Sequence, residues 1–205
     1  MKKKIKLYDS TLRDGAQTKG VNFSLNDKLK IISLLDEIGI DYIEGGWPGA
    51  NPTDNLFFQK LPKLSNSKAV AFGMMRKSGK SSQNDPGLNA VLNSGVSTVC
   101  LVGKSWDFHV KNALKISLNK NLDMISDTIA FASKRVDEVL FDAEHFFDGY
   151  KNNKEYSLNS IKRAYDAGAN WIILCDTNGG TLPHELENIF NEVKKIVPES
   201  MIGVH

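Results

Sequence analysis

A chain of 205 residues, 41% hydrophobic and 24% charged, holds enough apolar material for one sizeable core. Its formal net charge of +2 makes no case for a nucleic-acid partner, and no apolar run approaches the length of a membrane span. The start, MKKKIKLYDS, is basic but lacks the apolar stretch of a secretion signal, so a cytoplasmic protein is expected, with Lys2, Lys3, Lys4 and Lys6 read as a solvated edge that discourages aggregation.

In chain order, the apolar alternation of IKLYD predicts a strand from position 5. SLNDKLKIISLLDEIG predicts a helix: Leu25, Leu29, Ile32 and Leu35 share a face, Ser24 and Asp27 form a capping pair, and Gly39 is a natural stop. DYIEGG predicts a second strand from 41, and NPTDNLFFQKL a helix capped by Asn51 with Pro52 in its first turn. AVAFGM follows as a strand from 69, and DPGLNAVLNSG repeats the helix device with Asp85, Pro86 and Gly95. STVCLV is the strand from 97; His109 is placed on a helix behind it, and Leu118, Leu122, Ile125 and Ile129 make an apolar stripe after Ser117. EVLFDAE is the strand from 138, followed by a helix over Tyr156 to Ala167 that ends before Gly168. WIILCDT is the strand from 171; the next helix starts behind Thr181 with Pro183 in its first turn, leaves His184 exposed and ends before Pro198, and MIGVH is the strand from 201. Cys100 and Cys175 lie inside the apolar runs TVCLV and IILCD and are assigned to the core.

Strand and helix alternate throughout, which with right-handed crossovers gives a parallel sheet. No Gly-rich phosphate fingerprint follows the first strand, and polar residues recur after several strands, so the expected fold is an α/β (β/α)8 TIM barrel and not a doubly wound sheet. Such a barrel needs eight strands and typically about 250 residues. Seven strands and six connecting helical segments are predicted here, so residues 1–205 are expected to form one incomplete catalytic barrel domain, without the eighth strand or any C-terminal domain.

Catalytic groups of a TIM barrel sit at the C-terminal ends of its strands. Those ends carry Asp9 through Asp14, Glu44, Met74, Lys104, Glu144, Asp176 with Thr177, and His205. Carboxylates gathered at one mouth repel unless a cation shares them, and carboxylate with imidazole suits Mg²⁺, Mn²⁺ or Zn²⁺. Taken singly, Asp9, Asp142 and Asp176 read as loop caps.

The motif DSTLRDGAQ resembles the first-strand signature of the metal-dependent acyl-CoA condensing and cleaving barrels, a family that includes isopropylmalate, homocitrate and citramalate synthases and hydroxymethylglutaryl-CoA lyase. DYIEGGWPGANPTD, KSWDFHV, LFDAEHFFDGYK and LCDTNGGTLPHE are similar to the citramalate synthase branch. The resemblance implies a divalent metal bound by Asp14 and His205, with His205 the first histidine of a His-x-His pair. It implies that Arg13 polarises a keto oxygen beside the metal, that Gly15 lets the loop turn without a side chain in the way, and that Glu44 orients the arginine. Glu144 is implied as catalytic, and Thr177 and Gln17 as substrate-binding together with Arg13. The implied reaction joins acetyl-CoA and pyruvate into (R)-citramalate and free coenzyme A in branched-chain amino-acid biosynthesis, the full-length form being a homodimer with no nucleic-acid or membrane partner.

Other readings stay open at this stage. The 2-oxo acid is bulkier if the chain is an isopropylmalate or homocitrate synthase, with Phe72, Met74 and Leu101 as guesses at the pocket lining. A lyase of the same family, an inactive barrel fragment and one half of a split protein are the remaining alternatives. His109 is expected to pack on its helix, with a smaller case for an acyl-CoA contact, and His145, which follows Glu144, to lie behind the site. The glycine pairs Gly45–Gly46 and Gly179–Gly180 fit tight turns at least as well as ligand contacts.

Overall fold

Seven strands alternate with helices and lie in one parallel sheet in the order β1 to β7, the βα repeat of a (β/α)8 barrel. The structure is a computed structural model that describes residues 5–205; Lys2, Lys3 and Lys4 of the basic cluster lie outside the described residues. By its contacts the chain divides into two compact units, Met1–Gly73 with Pro86–Val99 and Met74–Asp85 with Cys100–His205.

In the first unit, β1 (Tyr8–Asp9) pairs with β2 (Tyr42–Gly46), and β2 with β3 (Lys68–Met74). β1 is shorter than its apolar alternation predicts. Ile5 and Leu7 are exposed, and the carboxylate of Asp41 takes both the Leu7 N–H and the Lys6 ammonium, so the ladder begins only at Tyr8. Helix α1 (Leu25–Ile38) carries the predicted capping box, with Asp27 N–H donating to Ser24 Oγ, and ends on Gly39 at φ 86°, which a side chain would strain. Its buried stripe differs from the predicted one. Lys28, Ile32 and Asp36 are the buried positions, while Leu34 and Ile38 are exposed. Asp36 is buried because its carboxylate accepts the backbone N–H groups of Ser65, Asn66 and Ser67 in the turn before β3. Helix α2 (Pro52–Gln59) is capped by Asn51, which accepts from Asp54 N–H, and α3 (Pro86–Leu92) begins at its proline. Phe57 and Ile43 are fully buried between these elements.

The second unit takes in β4 (Thr98–Lys104) from Cys100 onward, and the chain continues into a single turn, α4 (Asp107–His109), that widens into a π-turn over Val110–Leu114. Helix α5 (Leu118–Ala132), capped by Ser117, buries the predicted stripe of Leu122, Ile125 and Ile129. β5 (Glu138–Glu144) pairs with β6 (Trp171–Leu174), and β6 with β7 (Ile202–Val204). Between β5 and β6 run α7 (Lys154–Asp166) and, ahead of it, α6 (Phe146–Asn152), a helix that the sequence pattern does not predict. Phe146 and Phe147 are both fully buried, so α6 is held by its packing. Helix α8 (Pro183–Val193) precedes β7, and Cys100 and Cys175 are buried as expected.

Candidate functional site

The turn after β1 is built to present Arg13. The N–H groups of Arg13, Asp14 and Gly15 all donate to the Ser10 carbonyl, at 3.1, 2.9 and 3.1 Å, while fully buried Leu12 anchors the turn. Asp9 caps it by accepting from Thr11 N–H and Oγ1, the bland role considered for it. Gly15 is not required by space, since an added Cβ would meet nothing closer than 3.8 Å.

Arg13 then meets three fixed groups. Its Nε donates to Glu44 Oε2 at 2.6 Å, its Nη1 to Asp14 Oδ1 at 3.0 Å, and its guanidinium lies 4.0 Å from the centroid of the Phe72 ring. Glu44 is fully buried, and its other oxygen accepts from the Tyr8 hydroxyl at 2.8 Å. A buried carboxylate with both oxygens engaged keeps the guanidinium at one angle. Asp14, by contrast, is half exposed and turned outward at the loop. Gln17 lines a cavity of about 370 Å³ in this unit together with Arg13, Lys28, Trp47 and Asn51.

The second unit assembles a different cluster. Lys104, ending β4, donates to Glu144, ending β5, and both side chains are partly exposed. His145 follows at φ 51° and donates its backbone N–H to Thr177 Oγ1 at 3.0 Å, while its Nδ1 lies 3.2 Å from Asp148 Oδ2. Asp148 also accepts from Asn178. The His109 ring stands edge-on to His145 at 4.5 Å, with Trp106 4.9 Å from the former and 5.6 Å from the latter. Burial, aided by electrostatic repulsion from His145 and Lys104, pushes the His109 imidazole below its usual range. Behind Lys104, its carbonyl accepts from Tyr156 Oη and Asn121 Nδ2, and burial pushes the Tyr156 phenol up to about 12 despite the Asn121 hydrogen bond.

A side chain of β5 and those of the residues directly after β6 and β7 form a third group. Ligand atoms of Asp142, Cys175 and His205 lie within 4.8 Å of one another, the first two residues buried and His205 exposed. Asp176 instead caps its loop through Thr181 N–H and Oγ1. Within this unit Asp142 and His205 offer an oxygen donor and an imidazole, a donor set that suits a divalent cation of the Mg²⁺, Mn²⁺ or Zn²⁺ type.

Of the residues singled out from sequence, Arg13, Asp14 and Glu44 are in direct contact in the first unit. Glu144 pairs with Lys104, and Thr177 holds the backbone of His145 next to it. Phe72 supports the arginine, Leu101 is fully buried, and Met74 and His184 are exposed. Sequence reasoning missed Tyr8 as a partner of Glu44, and the buried pair Lys28–Asp54. The one sequence signal for Lys28 was its place four residues before Ile32 and eight before Asp36, a helical stripe that charged residues ordinarily turn to solvent.

The chain is 51% identical over 207 residues to an (R)-citramalate synthase of Aquifex aeolicus, covering 100% of this chain and 39% of that protein. The identity is 49% over 205 residues to an (R)-citramalate synthase of Sulfolobus acidocaldarius, covering 99% and 39%. A 2-isopropylmalate synthase of Sulfurisphaera tokodaii is more distant, at 27% over 203 residues, covering 99% and 50%. The chain thus spans about two fifths of the length of the citramalate synthases it matches. Among solved structures, the hydroxymethylglutaryl-CoA lyase of Pseudomonas aeruginosa superposes with a TM-score of 0.80 at 19% identity, covering 99% of this chain and 68% of the lyase, a likeness of fold. Residues 4–205 match the HMGL-like family, and the chain belongs to that family.

Proposed function

We propose that residues 1–205 are the first part of the catalytic barrel of an acyltransferase that condenses acetyl-CoA with pyruvate to give (R)-citramalate and coenzyme A. In the whole protein an eighth strand and C-terminal domains follow. The observation that carries the reading is the Arg13 guanidinium, held by Glu44, Asp14 and Phe72 at the end of the first strand. The names and 51% and 49% identities of the two citramalate synthases support pyruvate over the bulkier oxo acid of the 2-isopropylmalate synthase at 27%.

Asp14 and His205 would hold a divalent cation, Mg²⁺, Mn²⁺ or Zn²⁺, which would supply Lewis-acid polarisation of the 2-oxo acid. Arg13 places fixed positive charge where the keto oxygen becomes an alkoxide, and Glu44 keeps it aimed without reorganisation during the reaction. The Thr177 hydroxyl donates its proton to the oxo acid carboxylate, because its oxygen already accepts the His145 N–H. Gln17 binds substrate beside Arg13, and Glu144 acts as a catalytic group whose charge is balanced by Lys104. The acetyl methyl group loses a proton to a general base, its carbon bonds to the keto carbon of pyruvate as the C=O π pair moves to oxygen, the alkoxide takes up a proton, and water cleaves the thioester to a carboxylate and coenzyme A thiol. The enzyme is a cytoplasmic homodimer in branched-chain amino-acid biosynthesis, acting on small molecules with no nucleic-acid or membrane partner; no helix among the described residues is long and apolar enough to cross a membrane.

The test is release of free coenzyme A by the full-length protein with Mn²⁺ or Mg²⁺, comparing pyruvate with 2-oxoisovalerate. Pyruvate is expected to be preferred, and Arg13→Lys to lose about 10²- to 10³-fold in kcat. Preference for 2-oxoisovalerate would overturn the substrate, and cleavage of a hydroxyacyl-CoA with no condensation would overturn the reaction.

A further inference from the structure

The β2–β3 register breaks between Glu44 and Gly46, so Gly45 has no partner in the ladder. Its carbonyl accepts instead from Lys28 Nζ at 2.9 Å. Lys28, only 4% exposed, comes from α1 and also pairs with Asp54 of α2, which is 6% exposed. Asp54 Oδ2 in turn accepts from Trp47 N–H at 2.9 Å and Asn51 Nδ2 at 2.9 Å. No side chain fits at position 45, since an added Cβ would lie 2.2 Å from the Phe57 ring. One buried ion pair therefore grips the backbone at residues 45 and 47, directly after Glu44.

Both grips lead to Arg13. Glu44, the residue before the bulge, takes the arginine Nε, and Trp47 packs edge-on against Phe72 at 5.5 Å, the ring over which the guanidinium lies. Stability alone does not account for such a pair, because well-packed apolar residues of the same volume avoid the desolvation of two charges. An apolar pair could not bond the Gly45 carbonyl or the Trp47 N–H. We propose that Lys28 and Asp54 are positioning residues that fix the bulge after Glu44 and, through Glu44 and Phe72, set the angle of the Arg13 guanidinium. The inference rests on the reading of Arg13 as catalytic.

The test uses the full-length protein labelled with ¹⁵N-arginine, reading solvent exchange of the Arg13 Nε–H, together with steady-state kinetics. Lys28→Met/Asp54→Leu removes both charges and strands neither. Its thermal midpoint is expected to fall no further than that of Val193→Ala, since the Gly45 carbonyl and Trp47 N–H lose their partners, while protection of the Arg13 Nε–H falls at least about tenfold. kcat is expected to fall about a hundredfold with the KM for acetyl-CoA unchanged. Val193→Ala, which loosens α8 in the other unit, lowers the midpoint and is expected to leave the Arg13 signal in place. A double variant with an unchanged Arg13 signal overturns the proposal, and so does an equal loss of protection in Val193→Ala. If the Arg13 signal responds as expected but the parent protein transfers no acetyl group, the positioning role stands and the reaction reading fails.

Discussion

Two glutamates close two strands of this chain and are held in opposite ways. Glu44 in β2 is fully buried, with one oxygen on Tyr8 and the other on the rigid fork of Arg13. Glu144 at the end of β5 is partly exposed and faces Lys104, a point charge on a flexible stem. The first arrangement leaves the carboxylate no freedom and suits a group that aims another. The second lets a carboxylate change partners when a substrate arrives, which a group acting during the reaction needs. The same residue type at the same kind of position thus takes its part from the company it keeps.

The largest expected effect separates the two directly. Glu44→Ala takes from Arg13 its buried partner and leaves the half-exposed Asp14, and should cost about 3–5 kcal/mol in urea unfolding. A cost below about 1 kcal/mol would show that Glu44 is no more fixed than a surface carboxylate. Tyr8→Phe sharpens the same point by removing one donor from a charged acceptor, at about 2 kcal/mol, with the Arg13 contact left in place.

Acid unfolding gives a smaller, signed effect in the same unit. The Ser65 N–H, joined by those of Asn66 and Ser67, holds the Asp36 carboxyl below its usual range against the opposing pull of burial. A folded-state value below the unfolded one means that this stabilisation is fully present above the unfolded value, near 3.8, and is lost as pH falls through the folded one. Asp36→Asn should therefore be less stable than the parent at pH 7 and should lose less between about pH 5 and pH 2, as urea midpoints across that range would show. A constant gap at all pH values would remove Asp36 from the account. The smallest expected change is that of Glu144→Gln, under about 1 kcal/mol in urea because its lysine partner is partly exposed, while coenzyme A release should fall about 10²- to 10⁴-fold. A stability loss as large as that of Glu44→Ala would erase the distinction between the two glutamates.

Much of the fold was legible because it is written in local interactions. The cap of α1 joins Ser24 to Asp27, that of α2 joins Asn51 to Asp54, and that of α5 joins Ser117 to Lys120, each three residues apart. The apolar stripe of α5 and the strand runs of β2 to β7 are equally short-range patterns. The motif STLRDGAQ likewise pointed to Arg13 and Asp14 before their contacts could be seen. α6 escaped because Phe146 and Phe147 lie side by side and give no helical period, and β1 was overcalled because Asp41, far along the chain, takes the donors of its first residues.

The sequence by itself determined the alternation of strand and helix, the helix caps and the identity of the arginine and carboxylates at the strand ends, since these depend on neighbours a few residues away. Only the tertiary structure decided that Lys28 and Asp36 turn inward, that Glu44 is sealed while Glu144 is open, and that Asp142 and Cys175 stand beside His205. A charged side chain on a helix is solvated unless a partner elsewhere in the chain offsets its desolvation. Asp54, 26 residues from Lys28, and the turn at 65–67, about 30 residues from Asp36, are such partners, and their arrival is a fact of folding in three dimensions.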